Sequence, residues 1–213
     1  LRGAEIAVPG DLSSAAFFLV GATIHPDSHL VLECVGVNPT RSGVISLLQK
    51  MGADIRLLNE RKLGNEPVAD IEVKSAALHG IHVTSEQVPL AIDEIPALMI
   101  AAALARGDTV LEGAAELRVK ESDRLQAIAD GLRALGIKVE LWTDGMRVTG
   151  AGNFKGGEVA SHGDHRIAMA FAMAGLRSQA PVRVLDCRNV DTSFPGFVAL
   201  ARGAGLDLTE VQR

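Results

Sequence analysis

The chain repeats itself three times, and a period of some seventy to eighty residues constrains the fold more than any single motif does. An aspartate opens an alanine-rich apolar segment at Asp11 (DLSSAAFFLVGAT), at Asp93 (DEIPALMIAAALA) and at Asp164 (DHRIAMAFAMAGL). Each segment leads into a short run closing on an acid: LVLE at 30–33, TVLE at 109–112 and RVLD at 183–186. A second helical run follows and stops at a glycine: Gly52, Gly136 or Gly205. The aspartate-to-glycine intervals are 41, 43 and 41 residues.

Each piece has a physical reading. Aspartate at a helix start accepts hydrogen bonds from free backbone N–H groups and favours the positive end of the helix dipole. A segment as apolar as 95–105 has almost no polar face, which predicts a helix buried nearly all round. Glycine after LLQKM or LRAL fits a left-handed C-cap that turns the chain into the next strand. Between the units lie hairpin-like stretches, 71–73 with 81–83 and 138–141 with 146–148; the second carries the turn signal Thr143-Asp144-Gly145. The expected fold is α/β (α+β in some schemes), one domain over residues 1–213. It is built of three repeated βαβαββ units with buried helices inside and sheets outside.

Composition narrows the function classes. Hydrophobic residues make up 47% and charged residues 22%, with a formal net charge of −5, so a disordered chain is excluded. The longest apolar run, 95–105, falls short of the roughly 18–20 residues of a membrane-spanning helix. The mild acidity argues against binding a nucleic-acid backbone, which calls for clustered Lys and Arg, yet leaves room for a local basic pocket. Cys34 and Cys187 match neither a disulfide framework nor a CxxC metal site. Free thiols in a reducing cytoplasm are expected. The first residues, Leu-Arg-Gly-Ala-Glu, have no apolar core of a signal peptide, and without an initiator Met the chain reads as a fragment or a processed form.

The second repeat departs from the other two. From acid to glycine it counts 24 residues (Glu112 to Gly136), against 19 in the first (Glu33 to Gly52) and 19 in the third (Asp186 to Gly205). The surplus falls around Leu117-Arg118-Val119-Lys120-Glu121-Ser122-Asp123-Arg124. A longer charged segment at a helix entrance is a natural place for a site. Ser122 or Asp123 fits as the cap of the following helix. Lys120 and Arg124, four apart, would share one side of a helical turn and together could hold a dianion, Arg as a planar fork and Lys as a point charge. Glu121 between them has the chemistry of a general acid. Spacing alone favours the plainer reading of this segment, a solvated cap with ion pairs.

Two further places invite the same weighing. In Gly163-Asp164-His165-Arg166 an arginine stands in the first turn of an apolar helix, unfavourable to the dipole, and ligand binding and an ordinary ion pair explain it equally well. For Asp93, in Ile92-Asp93-Glu94, a plain N-cap is the simpler reading beside that of a catalytic base. His25, His29, His79 and His82 read as loop or surface residues. No metal-ligand spacing, GxGxxG loop or Walker loop is found.

Taken together, RVKESDRL (118–125), GDHRIAMAFAMAGL (163–176), GDLSSAAFFL (10–19), IDEIP (92–96) and TSFPGF (192–197) closely resemble the 5-enolpyruvylshikimate-3-phosphate synthase family. The likeness runs over essentially the whole chain, with the motifs in the family's order. It implies a transferase of the shikimate pathway, serving chorismate and aromatic amino-acid biosynthesis. Such an enzyme moves the enolpyruvyl (1-carboxyvinyl) group of phosphoenolpyruvate to the 5-hydroxyl of shikimate 3-phosphate and releases phosphate. The resemblance implies that Asp93 binds the shikimate hydroxyls and accepts a proton, and that Glu121 protonates the methylene carbon of phosphoenolpyruvate. It places Lys120 at the shikimate hydroxyl and the reacting centre, and makes Arg124 and Arg166 the clamp on phosphoenolpyruvate. At all five positions the resemblance favours the functional role over the plainer one. The scheme requires no metal and no organic cofactor.

Two positions depart from the pattern: Glu116 stands where many members have Asn, and Thr192 where many have Lys. No segment matches the family's other domain, and full members are about twice this length. The resemblance therefore implies the C-terminal half of a two-domain enolpyruvyl transferase, completed by the N-terminal domain of the same enzyme. The expected protein is a cytoplasmic monomer that binds no nucleic acid or membrane, binds phosphoenolpyruvate weakly by itself and turns over little or nothing. Competing readings are an enolpyruvyl transferase acting on a UDP-amino sugar, a non-catalytic α/β repeat domain for binding, and, remotely, an RNA-processing enzyme of related architecture.

Overall fold

The three apolar segments lie side by side at the centre of the molecule. In the computed structural model, which describes residues 3 and 6–211, they form α1 (Leu12–Ile24), α3 (Ile95–Leu104) and α5 (His165–Ala174). All of α1 except Ser14 and all of α3 except Leu104 are buried. The three helices pack on one another, as their lack of a polar face requires.

Around them run the strands, with the shorter helices between. The first unit continues from α1 into β1 (His29–Gly36), α2 (Gly43–Lys50), β2 (Asp54–Leu63) and β3 (Glu66–Lys74). The second contains β4 (His82–Val83), α3, β5 (Asp108–Leu111), α4 (Arg124–Ala134), β6 (Lys138–Leu141) and β7 (Met146–Thr149). The third has β8 (Gly157–Ala160), α5, β9 (Val182–Leu185), α6 (Asn189–Ser193) and α7 (Phe197–Gly203). The sheets are ordered β1-β3-β2, β4-β5-β7-β6 and β8-β9.

The expected βαβαββ unit is complete in the middle repeat. In the first, the leading strand is reduced to a single parallel bridge, Gly10 to Val35; in the third, the sheet consists of β8 and β9. Each unit keeps its signature, a parallel pair joined across a central helix: β4 with β5, β8 with β9, and the Gly10–Val35 bridge. The expected glycine stops are present, with φ of 102° at Gly52, 86° at Gly136 and 98° at Gly205.

Two local expectations are corrected. Residues 71–73 and 81–83 do not form a hairpin. Ile71 and Val73 pair with β1 and β2, whereas β4 runs parallel to β5 in the next sheet. The true hairpin of the first unit is β2–β3, which turns at Gly64-Asn65. The hairpin β6–β7 forms as expected, with Leu141 opposite Met146. The second correction concerns Asp93. Asp11 and Asp164 do cap α1 and α5 with their side chains, but Asp93 does not cap α3. A one-turn 3-10 helix, Ile92–Glu94, intervenes, and the α3 cap position falls on Glu94, which makes no side-chain cap bond. Asp93 is thereby left free to face its neighbours.

TSFPGF has a packing reason as well. Phe194 and Phe197 close on Phe18 of α1, with ring centroids 5.6–6.2 Å apart, in tilted and edge-on arrangements favoured by aromatic quadrupoles. This fastens α6 and α7 to the central helices. His25, His29, His79 and His82 are exposed as expected, and both cysteines are unpaired. No helix among the described residues is long and apolar enough to cross a membrane.

Candidate active site

Arg124 is the first residue of α4 and is fully buried. A buried guanidinium requires carboxylate partners, and each neighbouring segment supplies one. Its Nε donates to Asp164 Oδ2 at 2.8 Å and its Nη2 to Asp164 Oδ1 at 3.4 Å. Nη2 also donates to Glu121 Oε2 at 2.5 Å, and Nη1 to Asp93 Oδ1 at 3.3 Å.

Asp164 is the hub. Fully buried itself, it accepts from Arg124, from the Ser122 hydroxyl at 3.0 Å and from the Arg166 backbone N–H at 2.9 Å. Burial alone would push its carboxyl up. Arg124, the Arg166 amide and Ser122 together outweigh that and hold it below the usual carboxylate range. One residue thus caps α5 and anchors the arginine of α4.

Arg166 approaches Asp93 from the other side. Its Nη2 lies 3.4 Å from Asp93 Oδ2, and its Nη1 donates to the Asp93 backbone carbonyl at 3.3 Å. Its Nε is buried and has no hydrogen-bond partner. A buried unpaired donor costs about 1–3 kcal/mol, so Arg166 is held here with one hydrogen bond unmade. Next to it, burial and the Arg166 charge push His165 below its ordinary value, Asp164 and Glu121 opposing.

Of the five residues singled out in the sequence, Asp93, Glu121, Arg124 and Arg166 meet in this cluster. Lys120 does not. It precedes α4 with extended backbone geometry, at the end of a 3-10 turn spanning Ala115–Val119, and shares no helical turn with Arg124. Its Nζ pairs with Glu116 at 3.1 Å. The charged insertion is held by other residues: Asp123 caps α4 through the Gln126 N–H, and Arg118 bridges Asp123 and the backbone carbonyls of Trp142 and Thr143. Glu121 is half exposed, and Asp93 is 29% exposed.

Sequence reasoning missed three contributors. Glu94 is buried beside Asp93 and accepts from the Ser13 hydroxyl; Ser13 in turn accepts from Arg41 Nη2 at 3.0 Å. The available signal was an acid next to another acid at the mouth of an all-apolar helix. Two small clefts flank the cluster. One is lined by Arg41, Leu90, Asp93 and Glu94. The other, about 50 Å³, is lined by Ser13, Ser14, His165, Arg166 and Ser193 and has room for waters only. Among the described residues, no three His, Cys, Asp or Glu side chains gather as a metal ion would need. Chemically, the cluster offers carboxyl groups of differing exposure for proton transfer and arginine donors for an oxyanion.

Three α/β units around buried helices, with this cluster where they meet, define the enolpyruvyl transferase type of fold. The enolpyruvyl transferase NikO from Streptomyces tendae shares that fold at 17% identity, with a TM-score of 0.73 over 98% of this chain and 46% of that one. The chain itself belongs to the EPSP synthase (3-phosphoshikimate 1-carboxyvinyltransferase) family, whose model matches residues 1–200. It is 59% identical over 209 residues to the 3-phosphoshikimate 1-carboxyvinyltransferase of Alkalilimnicola ehrlichii, covering 98% of this chain and 47% of that protein. A solved structure of EPSP synthase from Acinetobacter baumannii superposes with a TM-score of 0.96 at 55% identity, over all of this chain and 49% of that one. The chain therefore spans about half the length of the relatives it matches.

Proposed function

We propose that the chain is the C-terminal half of a two-domain cytoplasmic enzyme that transfers the enolpyruvyl group of phosphoenolpyruvate to the 5-hydroxyl of shikimate 3-phosphate. The observation that carries this reading is the meeting of Asp93, Glu121, Arg124 and Arg166 in one cluster, with the Arg166 Nε donor unpaired.

The exposures divide the roles. Asp164 is buried and fixed on Arg124, whereas Glu121 holds the same guanidinium from a half-exposed position. A ligand carboxylate or phosphate arriving at Arg124 therefore displaces Glu121 and leaves Asp164 in place. Displaced from its cation, Glu121 is free to act as an acid. Asp93 accepts the proton of the 5-hydroxyl as that oxygen attacks C2 of phosphoenolpyruvate, and Glu121 protonates the methylene carbon to a methyl group. Glu121, left as a carboxylate, then takes a proton back from that methyl as the C–O bond to phosphate breaks, giving the enol ether and inorganic phosphate. Arg124 and Arg166 stabilise the anionic tetrahedral adduct. Lys120, once released from Glu116, reaches the shikimate hydroxyl.

The clefts beside the cluster are small and open, as fits a site whose other wall lies outside this chain. The N-terminal domain of the same enzyme supplies the other wall. The test is phosphate release from phosphoenolpyruvate plus shikimate 3-phosphate, first with this chain alone and then with that domain added. Silence alone and turnover on mixing is the expected result. Full turnover by the chain alone would overturn the shared site, and silence in both would overturn the reading.

A further inference from the structure

The strongest polar arrangement that the proposed chemistry does not use is the line Arg41–Ser13–Glu94, which runs from the surface into the core. Arg41 Nη2 donates to Ser13 Oγ at 3.0 Å, and the Ser13 hydroxyl donates to Glu94 Oε1. Ser13 is 3% exposed and Glu94 4%. The donors all point one way, from an arginine at the surface to a carboxyl in the interior. Three separate segments are joined by it: the loop before α2, the first turn of α1, and the 3-10 turn Ile92–Glu94 ahead of α3.

That turn carries Asp93. Its backbone carbonyl and its carboxylate both receive Arg166, and its carboxylate also receives Arg124. A one-turn 3-10 helix is weakly held by its own hydrogen bonds, and no side chain caps it. The bond from Ser13 to Glu94 is its fastening to the first unit, as Arg124 and Arg166 fasten it to α4 and α5. We propose that Glu94 is a positioning residue: clamped by Ser13 and Arg41, it fixes the turn on which Asp93 is presented to Arg124 and Arg166.

The chemistry of the clamp suits a carboxyl that tends to keep its proton. Burial, with the neighbouring Asp93, pushes Glu94 above the ordinary glutamic value, while Ser13, Arg166 and Arg41 pull against that. A neutral amide of the same shape can accept the Ser13 hydrogen bond equally well, whereas a methyl cannot. Gln and Ala at this position therefore separate geometry from charge.

The inference rests on the proposed transfer reaction for its functional consequence, so the test has two arms. The first reads the 213-residue chain alone by NMR, following the Asp93 carboxyl carbon and the Arg166 Nε–H signal. Glu94→Ala and Ser13→Ala are expected to move both signals, and Glu94→Gln to leave them near the wild-type positions. The second measures phosphate release with the other domain added. Glu94→Ala is expected to lower kcat by about 10-fold or more with KM for phosphoenolpyruvate within about 3-fold, Glu94→Gln to recover most of the loss, and the Ser13→Ala/Glu94→Ala double variant to be no worse than Glu94→Ala. Unmoved Asp93 and Arg166 signals in Glu94→Ala, or Gln and Ala variants equally impaired, would overturn the role. A wild-type mixture without turnover would sink the reaction while the first arm still decides the positioning. Should Glu94→Ala fail to fold, Ser13→Ala keeps the carboxyl and tests the same clamp.

Discussion

Asp164 and Glu94 are buried carboxyl groups whose surroundings push them in opposite directions, and each has its own signature in stability. Asp164 sits below its ordinary value because Arg124 and the N–H and hydroxyl donors outweigh its burial. A depressed carboxyl contributes stability above its unfolded value of 3.8 and loses it as pH falls through the lower folded value. Removing it takes from Arg124 its one fully buried partner and leaves only the part-exposed Asp93 and Glu121, at a cost of about 3 kcal/mol. Asp164→Ala is therefore expected to unfold at markedly lower denaturant concentration near neutrality, with the gap to wild type closing at strongly acid pH. Glu94 has the reverse sign. Its folded value lies above the unfolded 4.5, so its contribution is intact below that value and lost as pH rises through the folded one. Glu94→Gln should gain on the wild type in stability as pH rises from 4.5 towards neutrality, read by denaturant titration at each pH. No gain across that range would show that Glu94 is not held at a cost in the folded protein. Both residues stood in view in the sequence, Asp164 as a helix cap and Glu94 as the neighbour of Asp93. Their depth was not legible, because burial is set by elements some 40–80 residues distant, as the contacts of Asp164 with Arg124 and of Glu94 with Ser13 illustrate.

At the scale of elements, the period of apolar residues carried most of the information. Helices without a polar face must be central, and α1 and α3 are. Glycine after a helical run must turn the chain, and it does at Gly52, Gly136 and Gly205. What failed was strand pairing across a unit boundary. Both 71–73 and 81–83 are good strand sequences close together, and it is the pairing of β3 with β1 on one side and β2 on the other that decides that it belongs to the first sheet. The same limit applies to helix contacts, and Gly131 tests it. In the interior of α4 a glycine is worth about 1 kcal/mol less than alanine by propensity, so a sequence reading favours Gly131→Ala. The structure predicts the opposite sign. A Cβ there would meet the ring of Phe171 of α5 at 2.3 Å, and Phe171 is itself buried in the core. Overpacking of this kind costs about 1–3 kcal/mol, so the variant should be less stable than wild type by chemical denaturation; a more stable one would mean that α4 and α5 part easily.

For the whole molecule, the three units converge on a site whose charges nearly cancel. Arg41, Arg124 and Arg166 face Asp93, Glu94, Glu121 and Asp164, with the Lys120–Glu116 pair beside them, in a chain whose net charge is −5. A ligand combining a carboxylate with a phosphate, the latter about −1.5 to −2 near neutrality, gains little from such a surface. It must first displace carboxylates that already occupy the arginines. The isolated chain should accordingly bind phosphoenolpyruvate with a dissociation constant of about 1 mM or weaker, which is roughly 4 kcal/mol of binding free energy. Glu116 is the carboxylate whose removal leaves the cluster intact, because it pairs with Lys120 alone, from a largely exposed position. Exposed pairs are weak, so Glu116→Gln frees the lysine at little cost to the fold and removes one negative charge near the site. The variant should tighten phosphoenolpyruvate binding by about 2–5-fold at low salt, with the gain shrinking as ionic strength rises and screening sets in. Titration calorimetry or ligand-detected NMR would measure both. Micromolar binding by the unaltered chain would mean that the arginines are already available, and that the carboxylates around Arg124 do not guard it.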